Sequence, residues 1–182
     1  MENRRNFLKK SALGTLGVST VMSCNKPNKT NSKPVFPRII STWNHGLDAN
    51  KKAWEVLKNG QGGLSAVEEG VKVTEADPNV RSVGLGGYPD REGIVTLDAC
   101  IMDKDSNCGS VSYLQNIKHP ISVARYVMED TPHVMLSGRG ALDFAISKGF
   151  KQKNLLTEAS KNDWIKWKDK SVSYTHLRAH ET

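Results

Sequence analysis

The order of helical and extended patterns along residues 38–171 restricts the fold more than any other feature of the sequence. Apolar residues recur at helical spacing in some stretches and alternate with polar residues in others. The predicted helices cover residues 48–57, 65–76, 120–127, 140–147 and 156–170, and the predicted strands cover 38–42, 94–102, 110–114 and 133–136. Helices and strands therefore alternate in groups, which predicts an α/β domain (α+β layered) and disfavours a bundle or a β-sandwich.

Capping and turn signals set several boundaries of these elements. Ser65 and Glu68 are spaced as a capping box, which predicts a helix that begins there and places Val67, Val71 and Thr74 on one face. Residues 103–107 are predicted to form the turn of a hairpin between two strands. The cysteines at positions 100 and 108 flank that turn in an offset register, so we predict two free cysteines there and no disulfide.

Composition excludes some classes of function. The 182 residues include 37% apolar residues, enough for a hydrophobic core. Lysine and arginine number 26 against 19 acidic residues, a formal net charge of +7. A nucleic-acid surface would require a basic stripe interleaved with aromatic residues, but charges of both signs are interspersed along residues 38–171. We therefore predict no nucleic-acid partner.

Residues 1–24 have the order of an export signal. Arg-Arg-Asn-Phe-Leu-Lys at residues 4–9 precedes a weakly apolar run, and the arginine pair resembles a twin-arginine signal. That run has about twelve residues, fewer than the roughly 20 that span a bilayer. Val-Met-Ser at 21–23 followed by Cys24 resembles a bacterial lipobox, which would acylate Cys24. Two interpretations stay open, a lipid anchor and an ordinary cleavage site. Both place the protein in the periplasm.

Two further segments lie outside the predicted domain. Residues 25–37 contain three prolines among lysine, asparagine and serine, which predicts a flexible tether. Residues 172–182 match no earlier pattern, and we interpret them as a non-native tail. His176 and His180 in that tail are four residues apart, as metal ligands on a helix can be, but the tail is left out of the fold prediction.

General catalytic motifs give little support for any particular reaction. The sequence contains neither a Gly-x-Ser-x-Gly nucleophile elbow nor a phosphate-binding loop of the Walker type. The glycines at 84–87 precede a predicted strand, whereas a dinucleotide-binding motif follows one. Asp103, Asp105 and Asn107 imitate the start of a calcium loop, but Cys108 and Leu114 occupy the positions that require glycine and glutamate. We therefore predict no cofactor and no metal.

Six short blocks, taken in order, resemble the glycosylasparaginases, the N4-(β-N-acetylglucosaminyl)-L-asparaginases, and bacterial ones above all. The resemblance runs from about residue 39 to residue 170. The blocks are Ser-Thr-Trp-Asn-His-Gly at 41–46, Arg-Ser-Val-Gly-Leu-Gly-Gly-Tyr-Pro-Asp at 81–90, Thr-Leu-Asp-Ala-Cys-Ile-Met-Asp at 96–103, Lys-His-Pro-Ile-Ser-Val-Ala-Arg at 118–125, Thr-Pro-His-Val-Met-Leu at 131–136 and Gly-Phe at 149–150.

The resemblance implies the first half of an αββα sandwich of the N-terminal-nucleophile hydrolase kind, with residues 38–171 as the α-subunit part. Such a precursor cuts itself before a threonine, whose hydroxyl then attacks the side-chain amide of a glycosylated asparagine. The family's His-Asp-Thr-Ile-Gly motif is expected beyond the position of Lys170, and this chain does not contain it. We therefore expect a truncated precursor that lacks its catalytic nucleophile and that needs its own C-terminal β-subunit part as a partner.

The resemblance also implies two substrate-binding residues. Trp43 matches a tryptophan that lines the pocket for the asparagine portion of the substrate in this family. Ser82 matches a serine close to the nucleophile. The alternatives are core packing for Trp43 and a turn hydroxyl for Ser82. Two alternative functions also stay open, an L-asparaginase or isoaspartyl peptidase of the same fold and a non-catalytic, lipid-tethered binding protein.

Overall fold

The chain divides into two units, Met1–Pro37 and Arg38–Thr182. A computed structural model describes residues 37–178. The predicted export signal with Cys24, the tether up to residue 36 and the last four residues of the predicted tail lie outside the described residues. They remain predictions.

The described residues form five helices and three strands. The helices are α1 (Gly46–Lys58), α2 (Gly63–Ala76), α3 (Pro120–Asp130), α4 (Gly138–Ser147) and α5 (Glu158–Arg178). The strands are β1 (Thr96–Met102), β2 (Cys108–Gln115) and β3 (Met135–Ser137). The backbone of α5 thus continues through the first seven residues of the predicted non-native tail, and the origin of that tail stays a prediction.

The three strands form one mixed sheet in the order β1-β2-β3. β1 and β2 are an antiparallel hairpin, in which Met102 pairs with Cys108 and Cys100 pairs with Ser110. β2 and β3 are parallel, and helix α3 forms the crossover between them, as parallel neighbours require. The register keeps Cys100 and Cys108 out of opposite positions, and both are free thiols, which confirms the prediction of no disulfide between them.

The main core lies between the sheet and helices α3 and α4. Val111 and Leu114 of β2 are buried against Val123 and Val127 of α3. Gly109 permits the close approach, because a Cβ atom there would lie 2.2 Å from the carbonyl oxygen of Ala124. Helices α1 and α2 pack on each other around a smaller cluster. The domain is therefore a layered α/β structure, as the alternation of patterns predicts.

The opposite face of the sheet exposes large apolar side chains. Met102 is 63% exposed and Met135 55%, and the register places both on the face away from the core. An uncovered apolar sheet face agrees with the expectation of half of a layered sandwich, since a soluble protein normally buries such a face. Among residues 37–178, no helix combines the length and apolar character that a membrane span requires.

Three local predictions are wrong. Residues 38–42 form no strand, because no described strand lies beside them to complete the hydrogen bonds that a strand needs. The Ser41 hydroxyl instead donates to the carbonyl oxygen of Gly46 at 3.0 Å. Ser65 and Glu68 form no capping box, since α2 begins at Gly63 and both side chains contact α3 instead. Val67, which the helical spacing places on one face with Val71 and Thr74, is 51% exposed. The buried face of α2 carries Ala66, Gly70 and Thr74 instead.

Candidate functional site

Trp43 and Ser82 lie at the same end of the helical hairpin formed by α1 and α2. The hairpin is antiparallel, because Ala66 early in α2 clusters with Ala53 and Val56, whereas Gly70 approaches Ala49 one turn earlier in α1. Trp43 precedes the start of α1, and the loop that carries Ser82 returns to the end of α2.

The loop of residues 81–88 is fixed by backbone contacts to the end of α2. The Leu85 N–H donates to the carbonyl oxygen of Glu75 at 2.8 Å, and the Tyr88 N–H closes the loop on the carbonyl oxygen of Arg81 at 2.8 Å. Gly84 has φ +56°, and a Cβ atom there would lie 2.0 Å from the Glu75 carbonyl oxygen. Only glycine fits this position. Ser82 is therefore an exposed hydroxyl on a loop of defined conformation.

The turn that carries Trp43 is built by its neighbours in the block at residues 41–46. The Gly46 N–H donates to the Trp43 carbonyl oxygen at 2.8 Å, and the Ser41 hydroxyl bonds to Gly46 and Asn50. The Trp43 side chain is 73% exposed, so it does not pack into the core of the described residues. An exposed indole on an ordered turn offers a flat apolar wall to a ligand.

A buried carboxylate supports the same end of the helical hairpin. Glu75, 3% exposed, accepts the Ile121 N–H at 3.0 Å and lies 3.2 Å from His119 Nδ1. Burial raises the pKa of Glu75 above its usual 4.5, and the hydrogen bonds to His119 and Ile121 oppose that rise. Glu75 thus caps the start of α3 with its side chain while its carbonyl oxygen holds the Ser82 loop.

A second polar cluster joins α2 to α3. The Arg125 guanidinium donates to Glu68 at 2.8 Å and to the Ser65 hydroxyl at 3.1 Å, and Glu68 also accepts the Ser122 hydroxyl. Hydrogen bonding to Glu129 and Glu68 raises the pKa of Arg125 against the opposing effect of burial. Sequence patterns did not indicate either cluster, because each pairs residues more than forty positions apart.

The calcium-like sequence at the hairpin forms a polar turn. The Asp103 carboxylate accepts the N–H groups of Asp105 and Asn107 at 2.8 and 2.9 Å and the Asn107 side-chain amide at 2.8 Å. The bond from the Asn107 side chain is the main reason why the pKa of Asp103 lies below its usual 3.8. Within the described residues, no group of three or more acidic, histidine or cysteine side chains could hold a metal ion.

A profile of the family described as Asparaginase matches residues 41–181. The chain is 53% identical over 172 residues to the N(4)-(Beta-N-acetylglucosaminyl)-L-asparaginase of Elizabethkingia miricola, a match that covers 91% of this chain and 49% of that protein. It is also 40% identical over 134 residues to the N(4)-(Beta-N-acetylglucosaminyl)-L-asparaginase of Rattus norvegicus, a match that covers 71% of this chain and 39% of that protein. The chain spans about half the length, or less, of the curated relatives it matches.

Proposed function

Because this chain belongs to the asparaginase family, we propose that the whole protein hydrolyses the amide bond between N-acetylglucosamine and asparagine. One observation carries the proposal, the 53% identity over 91% of this chain to a protein named for that activity. The exposed indole of Trp43 and the exposed hydroxyl of Ser82, at one end of a helical hairpin, support it as parts of a pocket wall.

The proposed chemistry needs a nucleophile from elsewhere in the protein. The hydroxyl of an N-terminal threonine becomes a good nucleophile when the free α-amine of the same residue acts as the base and removes the proton. Oriented hydrogen-bond donors then stabilise the negative charge on the tetrahedral intermediate. We propose that the threonine comes from the part of the protein that corresponds to the other half of the relatives. In this arrangement, residues 38–171 form one wall of the pocket and the contacts that hold this wall in place.

Comparing substrates tests the proposal. The full-length protein is offered asparagine bearing N-acetylglucosamine, free L-asparagine and a β-aspartyl dipeptide, and release of aspartate is measured. We expect the highest kcat/KM for the glycosylated asparagine. A preference for either of the other substrates would indicate an L-asparaginase or isoaspartyl peptidase, and no turnover of any would indicate a non-catalytic binding protein. We expect no turnover from the 182-residue chain by itself, since it contains no His-Asp-Thr-Ile-Gly motif.

Replacing Trp43 tests its role in binding. Trp43→Ala in the full-length protein should reduce kcat/KM by about tenfold or more, equivalent to about 1.4 kcal/mol of lost transition-state binding. The stability of the 182-residue chain to urea should change little on the same substitution, because the side chain is 73% exposed there. Trp54→Ala, in the middle of α1, is the control, and its kcat/KM should stay within about twofold of the parent. Equal losses in both variants would argue against a binding role for Trp43.

We propose export to the periplasm through residues 1–24, supported by Arg4 and Arg5 followed by Phe-Leu-Lys. Replacing both arginines with lysine should retain the protein in the cytoplasm, and unchanged export would argue against the twin-arginine route. The membrane tether through Cys24 is a separate proposal. Incorporation of labelled palmitate that is lost in Cys24→Ser would support it.

A further inference from the structure

A cleft between residues 88–91 and helix α5 has a volume of about 400 Å³. Sites for small molecules commonly measure about 300–1,000 Å³. Three aromatic rings, two carboxylates and one guanidinium line the cleft, from Tyr88, Asp90, Arg91, Asp163, Trp164 and Trp167. Tyr88 is 61% exposed and Trp167 49%, so both leave part of their surface accessible from the solvent.

Hydrogen bonds and packing join the two walls of the cleft, which are the loop before residue 92 and helix α5. The Ser160 hydroxyl is buried, donates to the carbonyl oxygen of Gly86 at 2.6 Å and accepts from Arg81 Nη1 at 2.6 Å. Trp164 Nε1 donates to the carbonyl oxygen of Arg91 at 3.3 Å. The Trp164 ring also packs on Gly93, where a Cβ atom would lie 3.1 Å from the ring. These contacts fix the Trp164 ring and hold the loop against α5 before any ligand arrives.

Both carboxylates are held in place by the chain and keep capacity to accept hydrogen bonds. One oxygen of Asp90 accepts the N–H groups of Glu92 and Ile94, each at 2.9 Å. Asp163 lies 3.6 Å from Arg81 Nη2 and is 40% exposed. A carboxylate offers about four acceptor positions, so each of these two can accept hydroxyl groups of a ligand.

The charges of the cleft select among ligand classes. Two carboxylates and one guanidinium line the cleft, Arg81 pairs with Asp163 and Lys168 lies over Trp164, so charges of both signs meet there and neither strongly charged class of ligand is favoured. A cation would compete with the chain itself, since the Lys168 ammonium lies 4.8 Å from the centre of the Trp164 ring. A neutral ligand with an apolar face and several hydroxyl groups fits both the aromatic walls and the acceptors.

We propose that this cleft binds a pyranose sugar ring. The C–H face of the ring would pack on Tyr88 and Trp167, and its hydroxyl groups would donate to Asp90 and Asp163. The choice of N-acetylglucosamine-containing glycans as the ligand rests on the proposed function. The cleft adjoins the candidate site, because Tyr88 bonds to the residue just before Ser82. The cleft therefore binds sugar units that are attached to the asparagine in the glycosylated substrate.

Sugar titration of the full-length protein tests the proposal. The probe is the β-1,4-linked disaccharide of N-acetylglucosamine, followed by tryptophan fluorescence and by calorimetry. We expect saturable binding that Tyr88→Ala and Trp167→Ala each weaken by about tenfold. Tyr88→Phe keeps the ring and should bind within about twofold of the parent. Ile165→Ala is the matched control, since Ile165 lies on the same helix, is 41% exposed and is absent from the cleft lining.

Activity measurements separate this proposal from the proposed function. For asparagine carrying the disaccharide, the cleft variants should raise KM by about tenfold with kcat unchanged, and for L-asparagine they should change neither. Sugar binding by a protein that does not hydrolyse glycosylated asparagine would support the cleft and refute the proposed function. Hydrolysis without measurable sugar binding, equal weakening by Ile165→Ala, or tighter binding of tetramethylammonium than of the sugar would overturn the cleft proposal.

Discussion

Replacing Glu75 tests the buried side-chain contacts that join the end of α2, on which the Ser82 loop rests, to the start of α3. The carboxylate is 3% exposed and bonds to the Ile121 N–H and to His119. Glu75→Ala leaves the buried Ile121 N–H without a partner, at a cost of about 1–3 kcal/mol. The space left by the side chain adds about 1 kcal/mol, and removal of a buried charge offsets part of both costs. We expect a net loss of about 2–3 kcal/mol in the free energy of unfolding.

Glu75→Gln separates the charge from the hydrogen bonds. The amide keeps a carbonyl acceptor for Ile121 and places an N–H opposite His119, so we expect a change within about 1 kcal/mol at pH 7. The parent should lose stability as pH rises from 4.5 through the raised pKa of Glu75, because in that range the native state binds more protons than the unfolded state. Glu75→Gln should remove this part of the pH dependence.

Urea denaturation between pH 4 and pH 8, followed by circular dichroism, measures these effects. Glu69→Ala is the matched control on the same helix, since Glu69 is 36% exposed and pairs only with Lys72 in the described contacts. Such a surface pair is worth about 0–1 kcal/mol. The argument fails if Glu75→Ala costs no more than Glu69→Ala, or if Glu75→Gln keeps the parent's pH dependence.

The other contacts give predictions that urea denaturation and NMR can check. Gly84→Ala should cost more than about 3 kcal/mol, since the new Cβ would lie 2.0 Å from a backbone oxygen, whereas Gly63→Ala meets nothing within 4 Å and should change stability by less than about 1 kcal/mol. Arg125→Ala should cost about 2–3 kcal/mol by leaving the mostly buried Glu68 carboxylate without its cation, against less than about 0.5 kcal/mol for the exposed Arg139→Ala. The Asp103 carboxyl should titrate below pH 3.8 by NMR, because its bonds favour the charged form.

Elements defined by local patterns could be predicted from the sequence. The hairpin between β1 and β2 follows from alternation around a polar turn, and Pro120 begins α3 as its fixed backbone angle favours. Gly149 has φ +86° just after α4, the left-handed position that ends many helices. These signals operate over a few residues, so a single sequence contains all the information that they need.

Features set by distant partners could not be predicted in this way. A capping box and a tertiary ion-pair cluster use the same residue types, and Glu68 joins Arg125 because α3 packs beside α2. Similarly, residues 38–42 have the β-branched character of a strand but no described neighbour with which to pair. The positions of Trp43 and Ser82 also depend on the packing of α1 on α2, which no local pattern in the sequence specifies.

The blocks that carry the family resemblance include the supports of the candidate site. Gly84 and Leu85, from the block at 81–90, pack on or bond to the backbone of Glu75, and His119 and Ile121, from the block at 118–125, bond to its side chain. Glu75 is buried and lies outside every block, and it therefore connects the block at 81–90 to the block at 118–125. A pocket wall that must hold a substrate within a fraction of an ångström needs such support, since a side chain on a loosely held loop positions a ligand poorly. The blocks of resemblance therefore include residues that fix the conformation of the Ser82 loop.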